Sequence, residues 1–360
     1  MKITFIVPTL DVSGGLRVVS IYARLLAEKG HIVTVAAPKD KVPSFKQRIK
    51  HAIKWKGYQY KSHFNTEYFN NVNYNVVVTN KVESVLAKDV PDADVVIATW
   101  WLTAEWINKL PKSKGEKVYF IQGYETYEHL QKERVKKTYR LPFYKITIAK
   151  WLVSIMQHEY NDDNVKLVPN SVEQELFHTD KRAKQVRPTV GFLFSDNELK
   201  GVTDALKVID NLKGKIPNLR VISFGAHAPD RIKLPEYIEL SINPKQDNIR
   251  LLYQQCDLWL CCSLIEGFGL TILEAMACRT PCVSTKCGGP EDIITENENG
   301  FLCDVADIAM LTELSYKVLS FDAPTWSDFS SQAQESANAY SWDDATNLFE
   351  EALFGTIRKI

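Results

Sequence analysis

The strongest constraint on the fold is a regular alternation of short apolar strands with amphipathic helices. Ile3–Val7 has the pattern of a first buried strand, and a polar, glycine-containing loop at 9–15 follows it. Leu16–Glu28 has apolar residues at helical spacing, Gly30 is placed to end that helix, and Ile32–Ala36 provides the next strand. Because strand–helix–strand units of this kind make parallel sheets, the sequence predicts a doubly wound α/β fold.

The alternation continues in two series, which indicates two Rossmann-like lobes. The first series predicts further strands at Tyr74–Val78, Val95–Ala98, Val118–Ile121, Ile146–Ala149 and Val165–Val168. The second predicts strands at Thr189–Leu193, Arg220–Phe224, Tyr237–Leu240, Asp257–Cys261 and Pro281–Ser284, with helices at Leu199–Leu212 and Leu270–Ala277. Breaker residues beginning at Pro169 separate the series.

These two series set the expected domain organisation. We predict an N-terminal domain over 1–170 and a C-terminal domain over 171–338. A closing segment, 339–360, contains the predicted helix Trp342–Leu353. Ligands of such sheets bind at the carboxyl ends of the strands, so a deep cleft between the lobes is the expected site.

Composition and charge exclude several classes of protein. The chain has 360 residues, of which 45% are hydrophobic and 24% charged, as in a soluble globular protein. No run of about 18 apolar residues occurs, and the first apolar run stops at Pro8, too early for a signal peptide. A net charge of zero argues against nucleic acid as a partner.

The charge is nevertheless divided unevenly along the chain. Residues 1–170 carry 26 Lys and Arg against 16 Asp and Glu, and residues 171–360 carry 18 against 28. A basic N-terminal half suits an anionic acceptor or an anionic membrane face. All seven cysteines lie between Cys256 and Cys303 without a C-x-x-C pair, which favours reduced core thiols in a cytoplasmic protein.

The most informative segment runs from a strand through a glycine-rich turn into a helix. The N–H groups from Gly267 to Thr271 would lie in the first turn of the helix Leu270–Ala277, at the positive end of its dipole, which suits a diphosphate. Glu266 and Glu274 would be unfavourable beside phosphate unless they accepted hydrogen bonds from sugar hydroxyls. Taken singly, each glutamate is better explained as a helix cap or a solvent-facing side chain.

The whole string is better explained by a resemblance. EGFGLTILEAMACRTPCVSTKCGG, which starts at Glu266, resembles the E-x7-E signature of retaining GT-B fold glycosyltransferases of family 4, or glycosyl transferases group 1. Segments in both halves and at both ends resemble other parts of that family: 13–35, 167–177, 248–263, 288–302 and 341–353. The resemblance implies the GT-B fold, in which two Rossmann-like lobes face a deep cleft. It also implies that the N-terminal domain, 1–170, binds the acceptor, that the C-terminal domain, 171–338, binds the nucleotide-sugar donor, and that the helix in 339–360 crosses back to the N-terminal domain.

The resemblance also implies roles for the matching residues. Glu266 would hold hydroxyls of the donor hexose, Glu274 the ribose hydroxyls, and Lys200 would stabilise charge on the leaving diphosphate. Because a cation is unfavourable at a helix start, we favour this role for Lys200 over that of a solvated side chain. The predicted donor contacts are completed by Gly267, Phe268, Gly269, Leu270, Thr271, Gly15 and Ile242, the last in a loop at 241–244.

Two positions depart from the family pattern. The family usually places an Arg after the glycine that matches Gly191, where this chain has Phe192; Arg17 or a helix N-terminus are the candidates to supply the missing charge. Gln122 stands where many members have a His near the reacting carbon. The residues expected at the cleft or the acceptor are Gly14, Arg17, Gln122 and Trp100.

Other patterns have plainer explanations beside the functional one. Asp92-Ala93-Asp94 spells the D-x-D of metal-dependent glycosyltransferases, but it precedes a strand, so solvated loop acids are favoured and no metal is assigned. Trp100 fits either stacking on a sugar ring or packing in an aromatic core. The basic segments Phe45–Phe64 and Arg134–Lys150 fit either an anionic membrane face or a solvated basic surface.

The predicted function is metal-independent, retaining transfer of a hexose from a nucleotide diphosphate sugar, with UDP-sugar favoured, to a glycan or lipid-linked acceptor. No cofactor is expected. The implied setting is cell-surface or exopolysaccharide synthesis by a cytoplasmic protein, peripheral at the inner membrane face. Two alternatives stay open: a nucleotide-sugar epimerase of the same architecture, and a non-catalytic nucleotide-sugar-binding subunit, which the missing Arg and His keep in consideration.

Overall fold

The computed structural model of this chain describes residues 1–40, 65–82, 84–127 and 130–357. The chain divides into two compact units, each containing one parallel sheet, as the strand–helix alternation predicts. Unit 1 is formed by the described residues of Met1–Thr147, Val153–Val168 and Thr346–Ile360. Unit 2 is formed by Ile148–Leu152 and Pro169–Ala345.

The sheet of unit 1 has seven strands in the order β3-β2-β1-β4-β5-β6-β7. The strands are Lys2–Ile6 (β1), Ile32–Lys39 (β2), Asn75–Val82 (β3), Val95–Ala98 (β4), Glu116–Ile121 (β5), Tyr144–Thr147 (β6) and Val165–Leu167 (β7). β1 pairs in parallel with both β2 and β4, and β4 is buried along its whole length. The central strands, such as β4, are apolar on both faces because helices cover both sides of a parallel sheet.

The first helices of unit 1 in chain order are Gly14–Glu28 (α1), Trp101–Asn108 (α2), Lys132–Tyr139 (α3) and Lys150–Tyr160 (α4). The first residues of α4 belong to unit 2. α1 buries Tyr22, whose ring stacks on Phe349 at a centroid distance of 4.4 Å. Phe349 also contacts Phe5 of β1 and Phe120 of β5, so aromatic packing joins the C-terminal residues to this sheet. In the described ranges, no helix combines the length and apolarity needed to cross a membrane.

The sheet of unit 2 has six strands in the order β10-β9-β8-β11-β12-β13. The strands are Thr189–Leu193 (β8), Arg220–Gly225 (β9), Ile238–Ile242 (β10), Leu258–Cys261 (β11), Cys282–Thr285 (β12) and Gly300–Cys303 (β13). The helices are Val202–Lys215 (α5), Gln246–Gln254 (α6), Leu270–Ala277 (α7), Pro290–Ile293 (α8), Ile308–Leu319 (α9), Ala323–Asn338 (α10) and Trp342–Ile357 (α11), and α11 continues into unit 1 from Thr346 onward. β8 and β11 are neighbours at the centre, so the segments that follow them emerge side by side.

Several element boundaries differ from the sequence prediction, and three differences concern candidate residues. α1 starts at Gly14 rather than Leu16, because Ser13 has the extended backbone of an N-cap, so Gly14 and Gly15 belong to the helix. The helix predicted from Leu199 is divided at Gly201, whose φ of +62° separates a single 3₁₀ turn from α5. β10 continues through Ile242, which the sequence had placed in a loop.

Candidate active site

Lys200 and Glu266 lie on two segments that leave adjacent strands of unit 2. Lys200 ends the 3₁₀ turn after β8, and Glu266 lies in the turn after β11. The N–H of Leu264 donates to the carbonyl of Leu199 at 2.9 Å, which fastens the two segments together. Gly201 makes this approach possible, since a Cβ there would lie 1.8 Å from the Cys262 carbonyl oxygen. The two charged residues are therefore brought together by the topology of the sheet.

Lys200 and Glu266 form an ion pair. The Lys200 Nζ lies 2.7 Å from Glu266 Oε1 and 2.9 Å from Oε2, and the Ser263 hydroxyl donates to Oε1 at 2.7 Å. Burial by itself lowers the pKa of Lys200, but the Glu266 carboxylate outweighs it, and the pKa of Lys200 ends above its ordinary value. Lys200 is therefore held as a cation at neutral pH.

The backbone of Glu266 is fixed by the segment that follows β12. The Glu266 N–H donates to the carbonyl of Cys287 at 2.7 Å, and the Gly289 N–H donates to the carbonyl of Glu266 at 3.0 Å. These bonds make an isolated parallel bridge between Glu266 and Gly288. The turn that carries Glu266 is thus hydrogen-bonded to the segment after β12. These bonds constrain the backbone from which the carboxylate extends.

The turn leads directly into α7, as the sequence predicts. Gly269 is the N-cap, with φ +97°, and provides no side chain to cap the first N–H groups of the helix. Leu270 and Thr271 begin the helix and are half-buried, and Thr271 lines the same pocket as Lys200 and Glu266. A cation beside the start of a helix is a combination that can hold a phosphate group.

Glu274 is buried inside α7, with 5% of its surface exposed, so the alternative of a solvent-facing side chain is wrong. The hydroxyl of Tyr253 donates to Glu274 Oε2 at 2.9 Å. Tyr253 is itself fully buried and packs edge-on against Trp259 at 4.7 Å and Phe224 at 5.6 Å. The aromatic core therefore orients one carboxylate oxygen of Glu274; its predicted contact with ribose stays a prediction.

In unit 1 the structure brings Gly15 and Gln122 together. The Gln122 Nε2 donates to the Gly15 carbonyl oxygen at 3.2 Å, across the segments that follow β1 and β5. A Cβ on Gly15 would meet the Gln122 side chain at 3.5 Å, an ordinary contact, so no steric clash requires glycine there. The N–H of Arg17 donates to the Ser13 carbonyl in the first turn of α1, the turn that also contains Gly14.

Trp100 precedes α2 and contacts Trp101 at a ring-centroid distance of 5.4 Å. Trp101 is 5% exposed, whereas Trp100 is only half-buried, so core packing explains Trp101 and leaves part of Trp100 accessible. Glu125 accepts the Trp101 N–H at 3.2 Å. Burial raises the pKa of Glu125 well above its ordinary value, although this backbone bond opposes the shift.

Ile242 ends β10, an edge strand of the unit 2 sheet, and is 50% exposed. The next residue, Asn243, has φ +45° and donates its N–H to the Gly225 carbonyl at 2.7 Å. The chain therefore turns after Ile242 rather than before it. The extension of β10 by two residues follows from its parallel pairing with β9, which continues to Gly225.

The D-x-D sequence is a pair of exposed loop acids, as predicted. Asp92 pairs with Lys114 at 2.9 Å, and Asp94 accepts the Lys2 N–H at 2.7 Å, both before β4. Among the described residues, no cluster of three or more His, Cys, Asp and Glu is arranged to hold a metal ion.

The two basic segments have different outcomes. Phe45–Phe64 lies outside the described residues. In Arg134–Lys150, the interpretation as a solvated basic surface is wrong at Lys145, which is 1% exposed and bound by Asp162, whereas Arg134 is exposed and paired with Glu105. Their partners come from elsewhere in the chain, which local composition does not show.

Sequence reasoning missed three side chains that support the candidate residues: Ser263, Tyr253 and Trp151. Ser263 lies three residues before Glu266, a spacing that allows its hydroxyl to donate to the Glu266 carboxylate. Tyr253 lies on the face of α6 that is buried, where the apolar spacing marks it as core but gives no sign of its hydrogen bond. The Trp151 Nε1 donates to the Gly267 carbonyl oxygen at 3.0 Å from a position 116 residues away, for which no sequence signal exists.

Comparison with known proteins adds family evidence to this geometry. Residues 173–336 match the family model described as glycosyl transferases group 1. Among curated relatives, the chain is 41% identical over 75 residues to N-acetyl-alpha-D-glucosaminyl L-malate synthase of Bacillus anthracis, covering 21% of this chain and 20% of the relative. It is 25% identical over 221 residues to D-inositol 3-phosphate glycosyltransferase of Corynebacterium diphtheriae, covering 54% and 52%. The chain thus spans a fifth to about half the length of these relatives.

Solved structures match along nearly the whole chain. The structure of HepE from Anabaena in complex with UDP and glucose has a TM-score of 0.74 at 16% identity, covering 98% of this chain and 99% of HepE. Sucrose-phosphate synthase from Thermosynechococcus elongatus has a TM-score of 0.72 at 14% identity, covering 98% of each chain. At these identities the likeness establishes the fold, and the predicted GT-B class, with two parallel-sheet lobes, is confirmed.

Proposed function

We propose that this protein is a glycosyltransferase that moves a hexose from a nucleotide diphosphate sugar to an acceptor, since residues 173–336 match the family model of glycosyl transferases group 1. The observation that carries the proposal is the Lys200–Glu266 ion pair beside the start of α7. UDP-sugar is the proposed donor class, and the binding of UDP and UDP-glucose by HepE supports it. A glycan or lipid-linked molecule is the proposed acceptor, in cell-surface or exopolysaccharide synthesis.

The proposed mechanism uses the ion pair as two complementary binding groups. A bound diphosphate would take hydrogen bonds from the Lys200 ammonium, which has three donors, so that Glu266 could accept from hexose hydroxyls. As the bond to the sugar breaks, negative charge grows on the leaving diphosphate, and Lys200 with the first N–H groups of α7 would stabilise it. These groups supply positive charge from the chain itself, which supports a metal-independent reaction; retention of configuration is proposed from the family resemblance.

The test is release of nucleoside diphosphate from a panel of UDP-, GDP- and TDP-sugars, with EDTA present. Slow hydrolysis of one donor, lost in E266A and K200A and unaffected by EDTA, is the expected result. Release that requires a divalent ion would overturn metal independence. Equal release by wild type and both variants would overturn the assignment of the site.

A second candidate, a non-catalytic nucleotide-sugar-binding subunit, is favoured by one observation. Phe192, which stands where the family usually has an Arg, is 1% exposed in the core of unit 2 and supplies no charge. This candidate predicts that UDP binds, as measured by calorimetry, while no donor is hydrolysed with or without acceptor extracts. Any turnover that depends on Glu266 excludes it, and conversion of a donor to an epimer would instead identify the epimerase.

We also propose that the protein acts in the cytoplasm, with peripheral contact to an anionic membrane. All seven cysteines are buried free thiols, which is typical of a reducing compartment. The exposed face of α3 carries Lys132 and Lys137, and Arg140 is exposed at its C-cap, which supports an electrostatic contact. Failure to co-sediment with anionic liposomes at low salt would overturn the membrane contact.

A further inference from the structure

The start of α4 contains a side chain that reaches the turn of the candidate site. Residues Ile148–Leu152 belong to unit 2, although most of α4 belongs to unit 1. The Lys150 N–H donates to Asp292 Oδ2 at 2.7 Å, and Tyr340 donates its hydroxyl to the Asp292 carbonyl at 3.1 Å. Within unit 2, the first bond holds the beginning of α4, which carries Trp151, and the second holds Asp292.

The indole of Trp151 packs against Gly288, where the absence of a side chain leaves room for it. Gly288 has φ +108°, and a Cβ there would lie 2.7 Å from Trp151 Cε2 and 2.8 Å from Nε1. The same Cβ would lie 2.8 Å from the carbonyl oxygen of Glu266. Any other residue at 288 would therefore displace the indole, the Glu266 backbone, or both.

From this position Trp151 fixes the plane of the peptide between Gly267 and Phe268. Its Nε1 donates to the Gly267 carbonyl oxygen at 3.0 Å. Because a trans peptide is planar, the Gly267 carbonyl and the Phe268 N–H belong to one rigid unit and point in opposite directions. A bond that holds the carbonyl on one side therefore holds the Phe268 N–H on the other. The same bond polarises the peptide and strengthens its N–H as a donor.

We propose that Trp151 is a positioning residue that presents the Phe268 N–H to the diphosphate of the donor. This inference rests on the proposed function, in which the amides at the start of α7 bind the diphosphate. Trp151 itself contacts the Gly267 carbonyl and Gly288, and it acts on the donor only through the peptide that it orients.

The test compares Trp151→Phe with a matched control. Trp326 also donates its indole N–H to a backbone carbonyl, that of Asp257, at 3.0 Å within unit 2, so Trp326→Phe removes an equivalent bond away from the turn. Calorimetry measures the affinity of each protein for UDP and for uridine, which lacks the phosphates. We expect W151F to weaken UDP binding by about three- to tenfold, the loss of one hydrogen bond, and to leave uridine binding unchanged.

The ratio of UDP to uridine affinity separates positioning from a structural effect. A general disturbance of the site in W151F would weaken both ligands equally and would overturn the inference, as would an unchanged ratio. W326F is expected to keep the wild-type ratio even where its melting temperature falls.

Hydrolysis of a donor by the wild type reports on the proposed function separately. If the wild type turns over a donor while W151F keeps the wild-type ratio, the function stands and the inference fails. If the wild type binds UDP but turns over no donor, a reduced ratio in W151F still supports the inference.

Discussion

In unit 2, the Lys200 ammonium lies within 2.9 Å of both carboxylate oxygens of Glu266, and Ser263 donates to one of them. Each charge is held in place by the other, and the pair leaves 30% of the lysine and 13% of the glutamate side chain exposed. The two residues therefore act as one unit in any ligand contact. A change at either one alters the charge and the position of its partner.

Lys200→Met and Glu266→Gln are each expected to lower donor turnover by about 100- to 1000-fold, because Lys200 is placed to stabilise charge on the leaving diphosphate and Glu266 to hold the hexose in position. Since the residues act as a unit, the double variant should be scarcely slower than the slower single variant. Nucleoside diphosphate release under single-turnover conditions is the measurement. A single variant that keeps more than a tenth of wild-type activity would contradict the assigned role.

The same three variants test the energetic coupling of the pair. Each single substitution leaves a partly buried charge without its partner, whereas the double substitution removes both charges. The double variant is therefore expected to be less destabilised than the sum of the single ones in urea unfolding. Lys207→Met is the control: it breaks the more exposed ion pair with Asp204, which is expected to change stability by less than about 1 kcal/mol. Additive single effects would show that the pair is not coupled.

The fold was predictable because burial on both faces of a parallel sheet leaves apolar runs in its central strands, such as β4 and β11. β4, β8 and α7 have the bounds that the sequence predicts. The predicted element boundaries were wrong where a single backbone conformation determined them, as at Gly201, whose left-handed conformation ends the 3₁₀ turn. Local sequence shows that a glycine is present but not which conformation its neighbours impose on it.

The candidate residues of unit 2 were predicted one at a time, through a family resemblance, but their contacts could not be predicted. Lys200 and Glu266 are 66 residues apart and meet only because β8 and β11 are neighbours in the sheet. Tyr253 and Trp151 carry no motif, and their hydrogen bonds depend on packing that no local pattern encodes. The supporting residues of a site are therefore found by structure even where its charged residues are suggested by sequence.

Tyr253→Phe is expected to weaken UDP binding by about three- to tenfold, because Glu274 loses the donor that orients its Oε2. Calorimetry with UDP is the measurement. Tyr237→Phe is the matched control, since that hydroxyl donates to Asp210 on α5 rather than to a candidate residue. Equal affinity of wild type and Y253F would show that the orientation of Glu274 does not depend on Tyr253.

Cys261 is expected to be alkylated first among the seven cysteines near pH 8. A hydrogen bond from the Cys287 thiol lowers the pKa of Cys261 below its ordinary value in spite of burial, whereas burial raises the pKa of Cys256 to about 12 and of Cys303 to about 11. Brief iodoacetamide treatment followed by peptide mass spectrometry is the measurement. Cys287→Ala should slow the labelling of Cys261, and Cys303→Ala should not. Faster labelling of any other cysteine would contradict the prediction.

Between pH 4 and 6, the wild type is expected to lose free energy of unfolding relative to Asp257→Asn. Burial raises the pKa of Asp257 from 3.8 to about 6, although the N–H groups of Gln185 and Thr189 donate to its carboxylate and oppose the shift. Because the pKa of the folded state is above that of the unfolded state, the folded state binds the proton more tightly. Protonation of Asp257 therefore stabilises the folded state by about 3 kcal/mol. This stabilisation is complete below about pH 4 and is lost as the pH rises through 6. Urea unfolding at intervals from pH 4 to 7 measures it, and the exposed Asp328→Asn variant should keep the wild-type slope. Parallel pH profiles for wild type and D257N would show that Asp257 titrates normally in the folded protein.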